Sequence, residues 1–367
     1  MTTRSAELLA VVHARPGITR VDAARKLGIG TGAAAELAAR LCQAELLAEA
    51  PAAPSGSRGR PTTVLLPHPA GPLILAADIT HESWRIDVVE LGGVTLATSR
   101  GAHDGGPVLP ILEAAANELR AAHPGRIHGI GIAAPGTVSR DLRLDAAGLD
   151  WHDLDLTQVW EKADVFVAGN DATLAASAES SRGAAVGAHV ALHLRIEAGL
   201  GGAVVDDGKV LVGALGAGGE FGHMPFGDPA IACPCGAHGC WGTAVDGSAL
   251  ARLLGQPPPA DPVTYARRVI RSNREPDRRA TRAIAAALGR GIAGLVNGLD
   301  PDLVTLGGLG VDLLASAPAE IDAAYRAGLM AIRRPDPPPV VAASLGDDGP
   351  LLGAAEQAWT ALLPRLA

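Results

Sequence analysis

Aromatic residues are scarce in this chain of 367 residues, which holds five Trp, three Phe and two Tyr. Its core must therefore rest on Ala, Val, Leu and Ile, and a balance of 48% hydrophobic to 19% charged residues excludes a disordered chain. Lysine is nearly missing: Lys26, Lys162 and Lys209 stand beside 28 Arg, a bias of coding composition that carries no functional conclusion. No apolar run reaches the roughly 18 residues of a membrane span, and Leu8–Val12 is too short for a signal-peptide core. A cytoplasmic protein without a membrane partner is expected. Cysteine is limited to four, three of them within Cys233–Cys240. A disulfide framework would spread along the chain, whereas a local cluster in a reducing compartment points to metal. The fourth, Cys42, reads as core packing.

The formal net charge of −8 speaks against a nucleic-acid partner until it is divided. Residues 1–68 carry eight basic side chains (Arg4, Arg15, Arg20, Arg25, Lys26, Arg40, Arg58, Arg60) and five acidic ones (Glu7, Asp22, Glu36, Glu45, Glu49). This head is +3 and the remainder −11. A small basic module precedes an acidic body of roughly 300 residues, about the size of two lobes.

In the head, Leu8, Leu9 and Val12 share one helical face, and Pro16-Gly17 stops that helix. Thr19-Arg20-Val21-Asp22 has capping-box spacing and opens a second helix expected to turn Val21, Ala24 and Leu27 inward. Gly28 suits the left-handed residue that ends it, and Gly30-Thr31 opens a third helix with Ala34, Leu37 and Leu41 at helical spacing. Leu46–Ala48 and Thr62–Leu66 read as strands around a Pro/Gly/Ser-rich tip, so the module is a winged helix-turn-helix. At the tip Arg58, Gly59 and Arg60 suit phosphates or the floor of a narrow minor groove. Thr31, Glu36 and Arg40 are the polar candidates on the third helix for base edges in the major groove. So few readers imply modest monomer affinity and specificity gained through a dimer.

The body alternates strand-like and helical runs: Leu73–Ala77, Trp84–Glu90 and Val94–Ser99, a helix near Pro110–Ala122, then the buried strand Ile127–Ala133. A second set includes Val165–Val167, His189–Ile196 and Gly202–Val205, helix Arg282–Leu299, strand Leu303–Leu306 and a closing helix after Pro350. The order predicts mixed-sheet α/β lobes. Cys233, Cys235 and Cys240 are soft ligands gathered by a Pro/Gly loop, and His223, ten residues upstream, completes a tetrahedral set for a structural Zn2+. Asn170-Asp171 follows a strand and opens a helix, which places both at a cleft mouth; a plain helix cap is the alternative for Asp171.

Gly129-Ile-Gly-Ile-Ala-Ala-Pro-Gly136, Gly169-Asn-Asp-Ala-Thr173, Gly218-Gly-Glu-Phe-Gly-His-Met224 and Cys233-Pro-Cys-Gly-Ala-His-Gly-Cys240 resemble, in order and spacing, the ROK family of repressors, open reading frames and sugar kinases. The resemblance spans the chain and implies a winged helix-turn-helix (1–68) before a two-lobed actin-like, ribonuclease H-like sugar-kinase fold. Its first lobe would be 72–169 plus 350–367, and its second, with the zinc loop, 170–349. It further implies that Asn170, Glu220 and His223 hold sugar hydroxyls, that His223 shares its two nitrogens between zinc and sugar, and that Asp171 occupies the general-base position.

Two departures argue against phosphoryl transfer. Where ROK kinases read Asp-x-Gly-Gly-Thr, this chain has Asp78-Ile-Thr-His-Glu82; where they read Gly-Thr-Gly-x-Gly, it has Glu197-Ala-Gly-Leu-Gly201. Glycines that let amides approach phosphate are replaced, and Glu82 and Glu197 set like charge against a triphosphate. Asp302–Gly308 still resembles the adenine-side loop. Two acids usual at sugar sites of the family are Gly169 and Gly242 here, so sugar binding is altered or weakened. The expectation is a non-enzymatic regulator, a repressor, that binds operator DNA as a homodimer or homotetramer and senses a sugar or sugar phosphate. Its rivals are an ATP-dependent sugar kinase with an appended DNA-binding head and a ligand-independent DNA-binding protein.

Overall fold

The computed structural model describes residues 3–52, 63–103, 106–146 and 149–366. They fall into two compact units: Met1–Pro135 with Leu154–Gly169 and Leu351–Ala367, and Gly136–Asp153 with Asn170–Pro350. Residues 136–153, expected in the first lobe, cluster with the second unit.

The first unit begins with helix α1 (Arg4–Ala14), strand β1 (Ile18–Thr19), helices α2 (Arg20–Leu27) and α3 (Thr31–Gln43), and strands β2 (Leu47–Pro51) and β3 (Thr63–Pro67). Leu8, Leu9 and Val12 are buried on α1, and Ala34, Leu37 and Leu41 on α3. The cap of α2 forms as its spacing predicts: Thr19 Oγ1 accepts from the amide of Asp22 at 3.0 Å and donates to the Asp22 carboxylate at 2.7 Å. Gly28 ends α2 in the left-handed region at φ 63°. Ala24 is buried as expected, but Val21 does not point inward; it is 52% exposed, and Ala23 fills the interior in its place. At about 100° per residue Val21 lies on the side of the helix opposite Ala23. Strand β3 lies between β1 and β2, pairing Leu65 with Ile18 and Pro67 with Leu47. The wing tip, with Arg58, Gly59 and Arg60, lies outside the described residues.

Strands β4 (Leu73–Ile79), β5 (Ser83–Glu90) and β6 (Thr95–Ala102), helix α4 (Val108–Ala122) and strand β7 (Ile127–Ala134) follow. After β8 (Thr137–Val138), β9 (Arg143–Ala146) and β10 (Trp151–Asp155) comes β11 (Val165–Asn170), which completes a sheet in the order β11-β7-β4-β5-β6. The β4–β5–β6 meander is antiparallel, and the crossover through α4 makes β7 parallel to β4. Leu73–Ala77 is buried throughout, as expected of a central strand covered on both faces.

The second unit repeats the pattern. Helix α5 (Asp171–Arg182) precedes β12 (Val190–Ile196), β13 (Leu200–Asp206) and β14 (Lys209–Val210); helices α6 (Gly247–Leu253), α7 (Pro262–Ile270) and α8 (Glu275–Leu299) lead to β15 (Leu303–Gly308). Helices α9 (Leu309–Ser316) and α10 (Pro318–Gly328), strand β16 (Val340–Ala342) and helix α11 (Gly349–Leu366) close the chain. The sheet runs β14-β13-β12-β15-β16, antiparallel on the β13 side of β12 and parallel on the β15 side. Helix α8 starts seven residues before the predicted Arg282, with Pro276 in its first turn, and buries Ile284, Leu288, Ile292 and Val296.

Helix α11 belongs to the first unit from Leu351 onward, and the head is fastened to it. His13 on α1 is 3.2 Å through Nε2 from Glu356, accepts through Nδ1 from the amide of Gly92 at 2.9 Å, and lies against Trp359 with ring centroids 5.6 Å apart.

Candidate ligand and metal site

Strand β11 ends at Asn170 and α5 begins at once, so Asn170 is the helix N-cap: its Oδ1 accepts from the amides of Ala172 at 3.0 Å and Thr173 at 3.2 Å. The capping role considered for Asp171 belongs to its neighbour. Asp171 is the first helical residue and accepts through Oδ1 from the amide of Ala172 at 2.8 Å. Asn170 Nδ2 donates to the carbonyl of Gly136 at 2.9 Å, and Thr137, the next residue, donates through Oγ1 to Glu220 Oε1 at 2.9 Å. The Gly136-Thr137 dipeptide therefore bridges Asn170 and Glu220. It lies within and just beyond the glycine-rich segment that ends at Gly136, although neither residue was predicted to hold the site together.

The start of β13 seats both sides. A Cβ at Gly201 would lie 2.9 Å from that of Ala172, and a Cβ at Gly219 would lie 2.0 Å from the carbonyl of Gly202, so glycine is what permits this approach. Gly242 is under no such constraint: its nearest neighbours to a Cβ stand at 3.4 Å.

His223 stands three residues beyond Glu220, and its Nε2 is 3.7 Å from Glu220 Oε2. Its other nitrogen faces the cysteine loop, with Nδ1 3.7 Å from Cys233 Sγ, while Cys235 Sγ is 3.7 Å from Cys240 Sγ. One ligand atom from each of His223, Cys233, Cys235 and Cys240 lies within 4.8 Å of all the others, so this group could hold a metal ion. Ligands about 2.3 Å from a tetrahedral centre are separated by about 3.8 Å along each edge, and the His223–Cys233 and Cys235–Cys240 separations match that spacing. The loop is closed by a turn in which the amide of Gly236 donates to the carbonyl of Cys233 at 3.0 Å, with Gly236 at φ 91°. Trp241, next after Cys240, is fully buried and donates to the carbonyl of Ala287 on α8 at 3.2 Å. A Cβ on Gly291 of that helix would come within 2.1 Å of the indole.

Residues 102–360 match the ROK family. The chain belongs to that family. A glucokinase of Halalkalibacterium halodurans is 30% identical over 56% of this chain and 69% of its own length. The xylose repressor of Caldicellulosiruptor bescii is 28% identical over 50% of this chain and 51% of its own. A solved ROK family transcriptional regulator, a homologue of the E. coli MLC protein, superposes with a TM-score of 0.78 at 23% identity, covering 99% of this chain and 96% of that one. The fold therefore includes the winged helix-turn-helix head as well as the actin-like ROK body, as the sequence predicts.

The two segments that resemble the ROK phosphate loops in sequence make contacts of their own. At Asp78–Glu82 the amides turn inward: Thr80 Oγ1 accepts from the amides of Glu82 at 3.4 Å and Ser83 at 3.0 Å, and the amide of Thr80 donates to the carbonyl of Ser83 at 2.8 Å. At the second loop Glu197 Oε1 pairs with Arg195 Nη2 at 2.9 Å. It also sits where a Cβ on Gly308 would come within 2.7 Å of it, so the carboxylate fills the space beside Gly307-Gly308. Burial raises the Glu197 pKa, with Arg195 opposing and Asp347 and Asp171 adding to the rise. His193, fully buried on the same strand and 2.8 Å through Nδ1 from Thr305 Oγ1, is held at about 3 by burial and by Arg195. Arg195 was not predicted as a site residue; an arginine inside the apolar strand Val190–Ile196 is the signal that could have marked it.

On α3, Thr31, Glu36 and Arg40 are all exposed, with Glu36 and Arg40 one turn apart. Among the described residues no helix is long and apolar enough to cross a membrane.

Proposed function

We propose that this ROK protein is a DNA-binding transcriptional regulator, a repressor, whose body senses a sugar or sugar phosphate without phosphorylating it. The observation that supports the reading is the Arg195–Glu197 ion pair, which lies beside Gly308 in the segment that resembles the second phosphate loop. A triphosphate would have to displace that pair from a poorly solvated site and meet the carboxylates of Glu197 and Asp171. Thr31, Glu36 and Arg40 would face the major groove, with Arg58, Gly59 and Arg60 at the backbone or minor groove, in a homodimer or homotetramer.

The effector would lie against Asn170, Asp171, Glu220 and His223. Asn170 brings less than its full capacity: both its acceptor positions and one donor serve the fold, so one N–H remains for a hydroxyl. We assign the His223, Cys233, Cys235 and Cys240 set to a structural Zn2+, for which three thiolates and one imidazole are a suitable donor set. Bound through Nδ1, His223 would keep Nε2 directed toward Glu220 and the ligand.

Selecting bound duplexes from a random DNA pool and footprinting them with and without sugars tests the reading. Two protected half-sites whose occupancy changes with a sugar are expected; absence of any selected sequence overturns it. The retained Asp171 at the start of α5 favours the second reading, an active sugar kinase, which an ADP-release assay across hexoses and amino sugars separates.

A further inference from the structure

The body is acidic as a whole, yet residues 267–282 contain seven Arg and only two acids, Glu275 and Asp277. This stretch covers the end of α7, the following loop and the start of α8. Together with the end of α9 and the start of α10 it lines an open polar groove of about 370 Å3, bordered among others by Arg271, Ser272, Asn273, Arg278, Arg282 and Ser316. That volume is in the range of small-molecule sites.

We propose that this groove is a second ligand site, which binds a small phosphorylated polyol and shares no residue with the Asn170–Glu220–His223 site. The fold has already used part of its charge: Arg271 Nη2 is 3.1 Å from Asp312, and Arg282 Nη2 is 2.7 Å from Glu275. Arg278 makes no ion pair or side-chain hydrogen bond among the described residues, so its guanidinium is uncommitted. The one acid on the groove wall, Glu320, is 4.0 Å from Arg282 Nε and so stands beside a cation already bound elsewhere.

A second source of positive potential points the same way. Helix α10 has 11 residues and no side-chain cap; Pro318 at its first position has no amide, so in that turn the N–H groups of Ala319 and Glu320 have no partner within the helix, and its N-cap Ala317 borders the groove. Guanidinium forks and uncapped amides together suit a phosphate dianion rather than a monocarboxylate. Asn273 and Ser316 supply partners for hydroxyls on the remainder of the ligand. The loop is held in shape by Ser272, whose hydroxyl donates to the buried Asp277 at 2.6 Å and accepts from the amide of Arg274 at 3.2 Å. The proposal stands independently of the regulatory reading above.

Calorimetric titration of the full chain with inorganic phosphate, glucose 6-phosphate and glucose tests it. Both phosphate probes should bind saturably, glucose 6-phosphate more tightly. Arg278→Gln and Arg282→Gln should each weaken that binding by roughly tenfold or more. Glu220→Gln, at the other site, should leave inorganic phosphate binding unchanged, and unaltered melting of the exposed Arg278→Gln variant controls for folding. Absence of saturable heat with either phosphate probe overturns the proposal, as does equal affinity in the Arg variants or loss of phosphate binding in Glu220→Gln. Competition of a DNA duplex for the same arginines would replace it with a backbone-binding patch.

Discussion

Arg195, near the end of β12, and Glu197, one residue beyond that strand, meet through their side chains at 2.9 Å with 9% and 25% of their surface exposed. A pair this enclosed is costly to break from one side only. Glu197→Ala, which strands the guanidinium, should lower stability by about 3 kcal/mol, whereas Arg195→Met with Glu197→Leu should recover most of that loss. Denaturant midpoints of the three proteins check this.

The same pair sets the expectation for nucleotide. The wild-type chain should show no thermal shift with a non-hydrolysable ATP analogue and magnesium. Combining Thr80→Gly, His81→Gly, Glu82→Thr, Glu197→Gly and Ala198→Thr restores glycine and hydroxyl at both loops and should produce such a shift. A shift already present in the wild type would count against the non-enzymatic reading.

Metal analysis should find one zinc per chain. Chelation, or Cys235→Ser, should remove the ion, lower the melting temperature and abolish any further rise caused by sugar, because His223 connects the two sites. Gly291→Ala, which would press on Trp241 behind Cys240, should destabilise by about 1–3 kcal/mol.

Asp246 caps α6 by accepting from the amide of Ala249 at 2.7 Å, yet burial pushes its carboxyl up to about 6. A raised carboxyl holds its proton more tightly in the folded chain than in the unfolded one. Its stabilising contribution is therefore full below about pH 4 and is lost as pH rises through about 6. Asp246→Asn keeps the acceptor and cannot ionise. Relative to that variant, the wild type should lose up to about 3 kcal/mol between pH 4 and pH 7, read from parallel denaturation curves.

Much of this structure is legible in the sequence where local chemistry acts alone. The Thr19 cap, the left-handed Gly28, the inward faces of α1 and α3 and the metal-ligand spacing depend on neighbours a few residues apart. What could not be read depends on distant segments. Strand β1 has two residues and exists only because β3 pairs with it. Helices α6, α7, α9 and α10 are short and flanked by Gly or Pro, and tertiary packing selects them over the turns their sequences equally suit. At the site, the motif residues themselves could be named, but the bridge from Asn170 through Gly136-Thr137 to Glu220 joins positions more than thirty and eighty residues apart.

For the head, replacing Arg58 and Arg60 by Ala should weaken operator binding and lower the salt dependence of the binding constant by about 0.9 for each phosphate no longer neutralised. Fluorescence anisotropy at several salt concentrations measures the slope, and an unchanged slope would remove the wing from the interface.

His13 gives the winged module a mechanical character. With Gly92 on one ring nitrogen, Glu356 beside the other and Trp359 against the ring, α1 is clamped between a β-turn and the C-terminal helix. A head hung on a loose tether would average over orientations and report nothing about the body. If the head reads DNA as proposed, a clamped one would follow any tilt of α11 instead of averaging it away. Operator spacing would then read the attitude of a single helix at the far end of the chain.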